Sequence, residues 1–440
     1  MPDALLDGLR GLVGPANVLT GIELGPYVIE GRTPDAAVFP RSVAEVVGVL
    51  ALATEAELPV VPWGGGTAAA VGLPAARAGI VLGLSRMTRL VEHEPGDLTA
   101  TVEAGVTVAG LQSALRARGQ WLSLDPPDAE RATVGGVVAA DASGPRRHLY
   151  GTPRDLLIGV TVVTAEGAVV RGGGKVVKNV AGYDLPKLFI GSYGTLGVVV
   201  EATVKLRPLP DAERLVCASF DRLKDAGDAV RALMSSDLVP NAVELLDGAA
   251  AAALGAGAGL GAALVVGFDG LDEQVVWQCD ELARLVTSLG GRDPRALPPE
   301  AWARLAPAAR AAVGQPVAVM SFALLPTQVT ETMEQGANAA RARGFHTAWA
   351  AHASVGVVSA AIAPEPARPE PAPLAAVLAE WREMAHAGGG RATLEWAPLA
   401  VKAQVPVWDD PGAAGRIMQR IKREFDPRNV LNPGRFVAGI

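Results

Sequence analysis

The residues of this chain best suited to chemistry are glycines. Residues 60–72 read VVPWGGGTAAAVG: an apolar run, then Gly64, Gly65 and Gly66, then Thr67. Successive glycines let backbone N–H groups close around an anion, because no side chain blocks its approach. A second pair, Gly135 and Gly136, follows Thr133 and opens a small-residue segment that ends at Ser143-Gly144-Pro145. A pyrophosphate clamped between two such loops needs little basic charge, since N–H dipoles and the Thr67 and Thr133 hydroxyls can solvate it. The loop of nucleotide triphosphatases is excluded, because it needs a lysine after its last glycine and none stands here. A dinucleotide fingerprint can be drawn through Gly64, Gly66 and Ala69, but Gly72 and Pro74 stop the helix it requires. Taken alone, three glycines can also be no more than a turn.

Other candidates carry less. Arg146, Arg147 and His148 lie beside the second loop and read as a solvated charge cluster. His148 and His93 have no partner spacing that suggests a metal. Cys217 and Cys279 stand far apart and outside any CxxC, which argues against a disulfide framework or zinc knuckle and suits two small core residues. The 440 residues carry 39 basic against 46 acidic side chains, a net charge of -7 with no electrostatic footprint for nucleic acid. Half of them are hydrophobic, enough for two or three domains. The N-terminal stretch lacks the basic patch and apolar run of a signal peptide. No window approaches the roughly 20 uninterrupted apolar residues of a membrane helix, so a cytoplasmic protein is expected.

Elements must hold these loops in place. Ser42 and Glu45 form a capping box, with Val46, Val49, Leu50 and Ala53 on one face, so a helix is expected over about 42–57. A β-branched strand at Val60 and Val61 delivers the glycine loop at its end. From 80 to 207 short strands alternate with turns, with one helix ending near Gly119 and a hairpin at AEGAVV. Pro208 and Pro210 mark a domain boundary. Beyond it a β-α-β-β-α order runs from RLVCASF to a helix over 272–289, and recurs from VAVMSFALL to RATLEWA, as in paired split-βαβ, ferredoxin-like modules. The Ala/Gly-rich stretch at 248–268 reads as loop, helix turn and strand. The proline-rich 363–373 reads as a connector inside the second module. Ile417, Ile421 and Phe425 share one face of a last helix, which is followed by tight turns at 426–427 and 432–434.

Four stretches, in order, resemble one family: VVPWGGGT, ATVGGVVAADASGPRRHLYGTPRDLLIGV, GGGKVVKNVAGYDLPKLFIGSYGTLGVVVEATVKLRPLP and IKREFDPRNVLNPGRF. They look like the FAD-linked oxidases of vanillyl-alcohol oxidase or p-cresol methylhydroxylase (PCMH) type, and within these most like the FAD-binding second subunits of bacterial glycolate oxidases. The resemblance spans about 40–207 and the C-terminal 20 or so residues, and the middle only in pattern. It implies an α+β fold: a bipartite FAD-binding domain of two α+β subdomains over 1–207, a cap of ferredoxin-like units over 211–408, and a segment, 409–440, returning to the FAD domain. Carried over by motif, the resemblance puts the pyrophosphate on Gly64, Gly65, Gly66, Thr67, Gly135 and Gly136, with Pro62, Trp63, Thr133 and Val134 flanking. It sets Ala140, Ser143 and Gly144 along the dinucleotide, Gly194, Gly197 and Val198 by the adenosine end, and Asn432 at the isoalloxazine edge. Tyr183 and Asp184 would brace the loop. Relatives with covalent flavin use a histidine in or near the first loop, so Thr67-Ala68-Ala69 implies noncovalent FAD.

Catalytic relatives carry cap motifs of the form H-x-G-D-G-N-x-H and E-H-G. The matching places here read AAHASVGVVSAAI and GGRATLEWAPLAVKAQ, so His352 has no second histidine and Glu395 is followed by Trp396. His352 reads as a packing residue, Glu395 as an exposed strand position, and His346 and His386 as surface residues. The resemblance therefore implies an FAD-binding accessory subunit of a glycolate (2-hydroxy acid) oxidase complex, membrane-associated only through partners. Those partners would be a catalytic flavoprotein homologue and an iron–sulfur subunit, since this chain lacks the cysteines for a cluster. A free-standing FAD oxidoreductase using His352, Glu395 or Lys402 is the alternative, and a structural subunit with a relic flavin loop is the third reading.

Overall fold

The computed structural model describes residues 1–74, 77, 79–175, 183–256, 261–363 and 370–440. Parts of three stretches named above, at 176–182, 257–260 and 364–369, lie outside the described residues. The chain divides into two units, the first holding 1–143, 151–209 and 410–440, the second 144–150 and 210–409.

In the first unit β1 (Val18–Leu19), β2 (Ala36–Val38), β3 (Val60–Trp63) and β4 (Ile80–Gly83) form a sheet in the order β1-β2-β4-β3. The last three strands run parallel. The β2–β3 crossover is the helix Val43–Glu55, in which Val46, Val49, Leu50 and Ala53 are buried. Ser42 Oγ accepts from the Glu45 amide at 3.2 Å, while the Glu45 carboxylate turns back to the Arg41 amide at 2.8 Å. A second, antiparallel sheet holds β5 (Leu90–Glu94), β6 (Thr99–Glu103), β7 (Leu157–Val163), β8 (Val169–Gly173) and β9 (Val198–Lys205), in the order β5-β6-β9-β7-β8. Its β7–β8 hairpin turns at Gly167, whose φ of 82° favours glycine. Val38, Val60, Leu82, Val102, Val162 and Val200 share one continuous core across both sheets.

The C-terminal segment joins this core as a partial strand. The Val60 amide donates to the Val430 carbonyl at 2.7 Å, and the Asn432 amide to the Val60 carbonyl at 2.9 Å. In the helix Ala414–Phe425, Ile421 and Phe425 pack on the core, with the Phe425 ring edge-on to Phe189 at 5.6 Å. Ile417 departs from the expected face and is 61% exposed. Each four-residue step drifts by roughly 40°, and the buried stripe runs through Gly415 and Lys422 instead.

The second unit is one eight-stranded antiparallel sheet. Its strands are β10 (Ala212–Phe220), β11 (Ala242–Asp247), β12 (Ala262–Gly270), β13 (Arg292–Leu297), β14 (Ala318–Ala323), β15 (His346–His352), β16 (Val357–Ala363) and β17 (Arg391–Trp396). They lie in the order β13-β10-β12-β11-β15-β16-β14-β17, so two β-α-β-β-α-β modules meet at β11 and β15. The first module gains a fourth strand, β13, beyond the expected pattern. The helices Leu223–Met234, Asp272–Ser288, Val329–Arg341 and Pro371–Ala387 form a core with Phe220, Trp349 and Trp381. On the other face Cys217, Leu246 and Ala350 pack under the short helices Gly248–Leu254, Ala301–Leu305 and Ala308–Val313. Cys217 is buried and Cys279 half-buried, and burial pushes both thiols up.

Candidate functional site

β3 ends at Trp63 and the chain turns through the glycines without entering a helix. This loop is pressed onto the residues that lead into the helix Val134–Ala140. A Cβ on Gly64 would fall on Thr133 Oγ1, and one on Gly65 would fall inside the Arg131 carbonyl. Arg131 in turn donates to the Gly65 carbonyl at 3.1 Å, so the two glycine loops are held together. The amides of Gly64, Gly65, Gly66, Thr67 and Ala68 find no acceptor among the described residues, and the glycines are half-buried. Consecutive open donors on such a loop make a cradle for a diphosphate-sized anion. The second loop is different. The Gly135 amide donates to the Ala104 carbonyl at 2.9 Å, the Val134 amide to Val106 at 2.8 Å, and the Gly136 amide to the capping Thr133 Oγ1 at 3.3 Å. The open donors thus belong to the first loop.

Pro62, Gly194 and Asn432 converge beside the cradle. A Cβ on Gly194 would stand 3.1 Å from Pro62 and 3.4 Å from Asn432 Nδ2, which donates to the Tyr193 carbonyl at 2.7 Å. The Gly191 and Tyr193 amides hang on the Val138 and Ala139 carbonyls at 3.1 and 2.8 Å, next to Ala140. Gly197 and Val198 are buried, Gly197 against Val162, and support the loop from below. Ser143 closes its segment of the first unit, while Gly144 is buried in the second. Tyr183 is 93% exposed and Asp184 pairs with Lys187 at 3.7 Å, so neither side chain braces the loop by packing.

Two cations that the sequence reading passed over fix this arrangement. Lys422, 5% exposed, donates to the Thr195 and Leu431 carbonyls at 2.9 and 2.8 Å and to Asp426 at 2.6 Å. Burial lowers its pKa against the pull of Asp426. Asp426 also accepts from the Val430 and Leu431 amides at 3.0 and 2.7 Å, which shapes the turn before Asn432. Arg435 donates to the Leu73 carbonyl at 2.8 Å, to Ala69 at 2.6 Å and to Val71 at 3.2 Å, and so holds the outgoing limb of the cradle. Burial lowers its pKa to about 10, which leaves it charged at neutral pH. The signal for it was an arginine directly after an Asn-Pro-Gly turn.

In the second unit His352 ends β15 with Nδ1 2.7 Å from Glu244 Oε1 on β11, rather than serving as a packing residue. Glu244 is 1% exposed; burial pushes its carboxyl up, while His352 and Arg147 pull it back. Glu395 is paired with Arg310. The strand row of His352 crosses Val357 and Ala323 to Arg391, and Glu395 lies further along β17, so the sheet separates these two candidates. Lys402 is buried in the helix Leu399–Lys402 that follows. Arg146, Arg147 and His148 are not a solvated cluster. Arg146 lies 3.9 Å over the Trp302 ring and meets Glu213 at 3.0 and 2.6 Å. His148 Nδ1 stands 2.8 Å from Ser354 Oγ, and burial lowers its pKa. His93 pairs with Gln120 at 2.8 Å, His346 is exposed, and half-exposed His386 meets Asp409 at 3.0 Å. Among the described residues no three His, Cys, Asp or Glu side chains could jointly hold a metal ion.

Comparison with known proteins matches the chain in two successive stretches. Residues 34–173 match the FAD binding domain family and 209–436 the C-terminal domain of FAD linked oxidases. Glycolate oxidase subunit GlcD of Bacillus subtilis is 30% identical over 92% of this chain and 89% of its own length. A D-lactate dehydrogenase (cytochrome) of Arabidopsis thaliana is 38% identical over 49% of this chain and 37% of its own. p-Cresol methylhydroxylase, solved with substrate bound, shares the fold with a TM-score of 0.79 at 19% identity, over 100% of this chain and 96% of that one. No helix among the described residues is long and apolar enough to cross a membrane. The open-amide cradle fits the diphosphate of FAD, and the chain belongs to the family of FAD-linked oxidases, FAD-dependent oxidoreductases with a PCMH-type fold.

Proposed function

We propose that this chain binds FAD noncovalently and oxidises a small 2-hydroxy acid, of the glycolate or D-lactate class, to the 2-oxo acid. The observation that carries the reading is the similarity to Bacillus GlcD through both units. Bound flavin supplies a two-electron acceptor for the hydrogen on the substrate carbon. The chain supplies the rest. The amides of residues 64–68 hold the diphosphate, Arg435 fixes the outgoing limb of the loop that presents them, and Asn432 holds the neighbouring loop at Tyr193. His352, oriented through Nδ1 by Glu244, has no partner on Nε2 among the described residues and can accept the hydroxyl proton there.

The finer reading makes the chain a second FAD-binding subunit, working beside a catalytic flavoprotein homologue and an iron–sulfur subunit. It is favoured by the single histidine at 352 and by Trp396 after Glu395, where catalytic relatives have further histidines. Turnover tests the main reading. With a soluble dye as electron acceptor, the purified chain should form glyoxylate from glycolate or pyruvate from D-lactate, and His352→Gln should lose at least about 100-fold of that rate. No 2-oxo acid from either substrate would leave the second-subunit reading standing alone.

A further inference from the structure

The chain leaves the first unit after Ser143, runs through Gly144–Tyr150 as part of the second, and returns at Gly151. The sequence around His352 offers no second histidine, yet this strap brings one from far away in the chain. His148 Nδ1 stands 2.8 Å from Ser354 Oγ, a residue 206 positions later and two beyond His352. We infer that His148 is a second substrate-binding residue beside His352, its Nε2–H donating to a carboxylate oxygen of the hydroxy acid, with Ser354 as the positioning residue that turns the ring. The inference rests on the reading of the chain as a 2-hydroxy acid oxidoreductase.

Both rings are placed by contacts within the second unit. Glu244 on β11 and His352 on β15 are register partners in adjacent strands, and their side chains meet at 2.7 Å. The helical turn of the strap, Arg147–Tyr150, packs on the same β11. Ser354 lies in the tight turn Ala353–Val355, so its Cα is within about 7 Å of that of His352. The strap is held on either side of His148. Arg146 lies 3.9 Å over the Trp302 ring and bonds Glu213, and the Tyr150 hydroxyl is 2.7 Å from both oxygens of Asp269.

Both imidazoles are engaged through Nδ1, and neither has a partner on Nε2 among the described residues. The two Nδ1 partners differ, and with them the roles of the rings. An ionised carboxylate only accepts, so Glu244 draws the His352 hydrogen to Nδ1 and leaves Nε2 bare to take a proton. A hydroxyl can donate, so Ser354 leaves the His148 hydrogen on Nε2. Burial lowers the pKa of His148, which keeps this ring neutral at neutral pH. A 2-hydroxy acid carries its hydroxyl and its carboxylate on adjacent carbons. An acceptor for the first and a donor for the second, set a short way apart, match that pair, and a neutral donor adds no second buried charge beside Glu244.

Oxalate, an unreactive dicarboxylate, is the probe. Calorimetric titration of the FAD-loaded protein should show oxalate binding, and His148→Phe should weaken it about tenfold and raise KM for the hydroxy acid alike, with the flavin band unchanged. His148→Gln, which keeps an N–H donor, should recover binding to within about threefold of wild type. Ser354→Ala should weaken oxalate about threefold and raise KM more than it lowers kcat, which a merely structural loss would not do, and Ser354→Thr should restore both. Oxalate affinity within twofold of wild type in His148→Phe, a loss in His148→Gln as large as in His148→Phe, or no oxalate binding by wild type overturns the inference. Oxalate binding that falls with His148 in a protein that forms no 2-oxo acid would instead refute the functional reading and keep the carboxylate site.

Discussion

At Gly65 the chain has no room for a side chain, because the Arg131 carbonyl occupies the place of its Cβ. Gly65→Ala must therefore push the two loops apart and misalign the open amides. We expect at least a tenfold weaker hold on FAD with the far-UV spectrum intact, read as flavin absorbance per chain; unchanged FAD content would show that the cradle lies elsewhere. Arg435→Met tests the brace. It strips the Ala69, Val71 and Leu73 carbonyls of their donor, at a cost of about 3 kcal/mol, and should lower the Tm and loosen FAD together. The glycines were legible from their spacing, because close approach leaves no choice of residue. Glu244 was not, since it sits in the apolar run AVELL and its partner is 108 residues away in sequence.

Elements were legible where the rule is local. The Ser42 cap and its buried face needed only the residues within one helix. β13 needed the sheet: RDPRAL, with exposed charges and Pro294, reads as a loop until β10 supplies its partner. One helix cap also carries a pH signature. Asp247 accepts from the Ala250 amide at 2.9 Å at the start of Gly248–Leu254, and burial, opposed by backbone amides, pushes its carboxyl up to about 6. In the unfolded chain it ionises near 4. Between about pH 4 and 6 the folded chain keeps a proton that the unfolded chain has released, so stability falls as pH rises through that window. Asp247→Asn keeps the acceptor and removes the penalty. Its Tm should stay flatter from pH 4 to 6 and exceed that of wild type at pH 7; a curve parallel to wild type would contradict the assignment.

For the whole molecule, what the four motifs conveyed in advance was a family and its cofactor. The strap could not be read, because residues 144–150 join the second unit through Glu213, Asp269 and Ser354, none of which is near in sequence. The first unit likewise depends on its last segment, which brings Leu431 beside Val60 and supplies Lys422, Asn432 and Arg435. A chain ending at Asp409 should purify colourless, and a yellow one would show that this segment is dispensable for FAD. The most direct measurement is an anaerobic absorption spectrum of the full chain before and after addition of glycolate or D-lactate. A flavin band that bleaches with either acid is the result predicted here; a band that persists with both would contradict hydroxy acid oxidation by this chain.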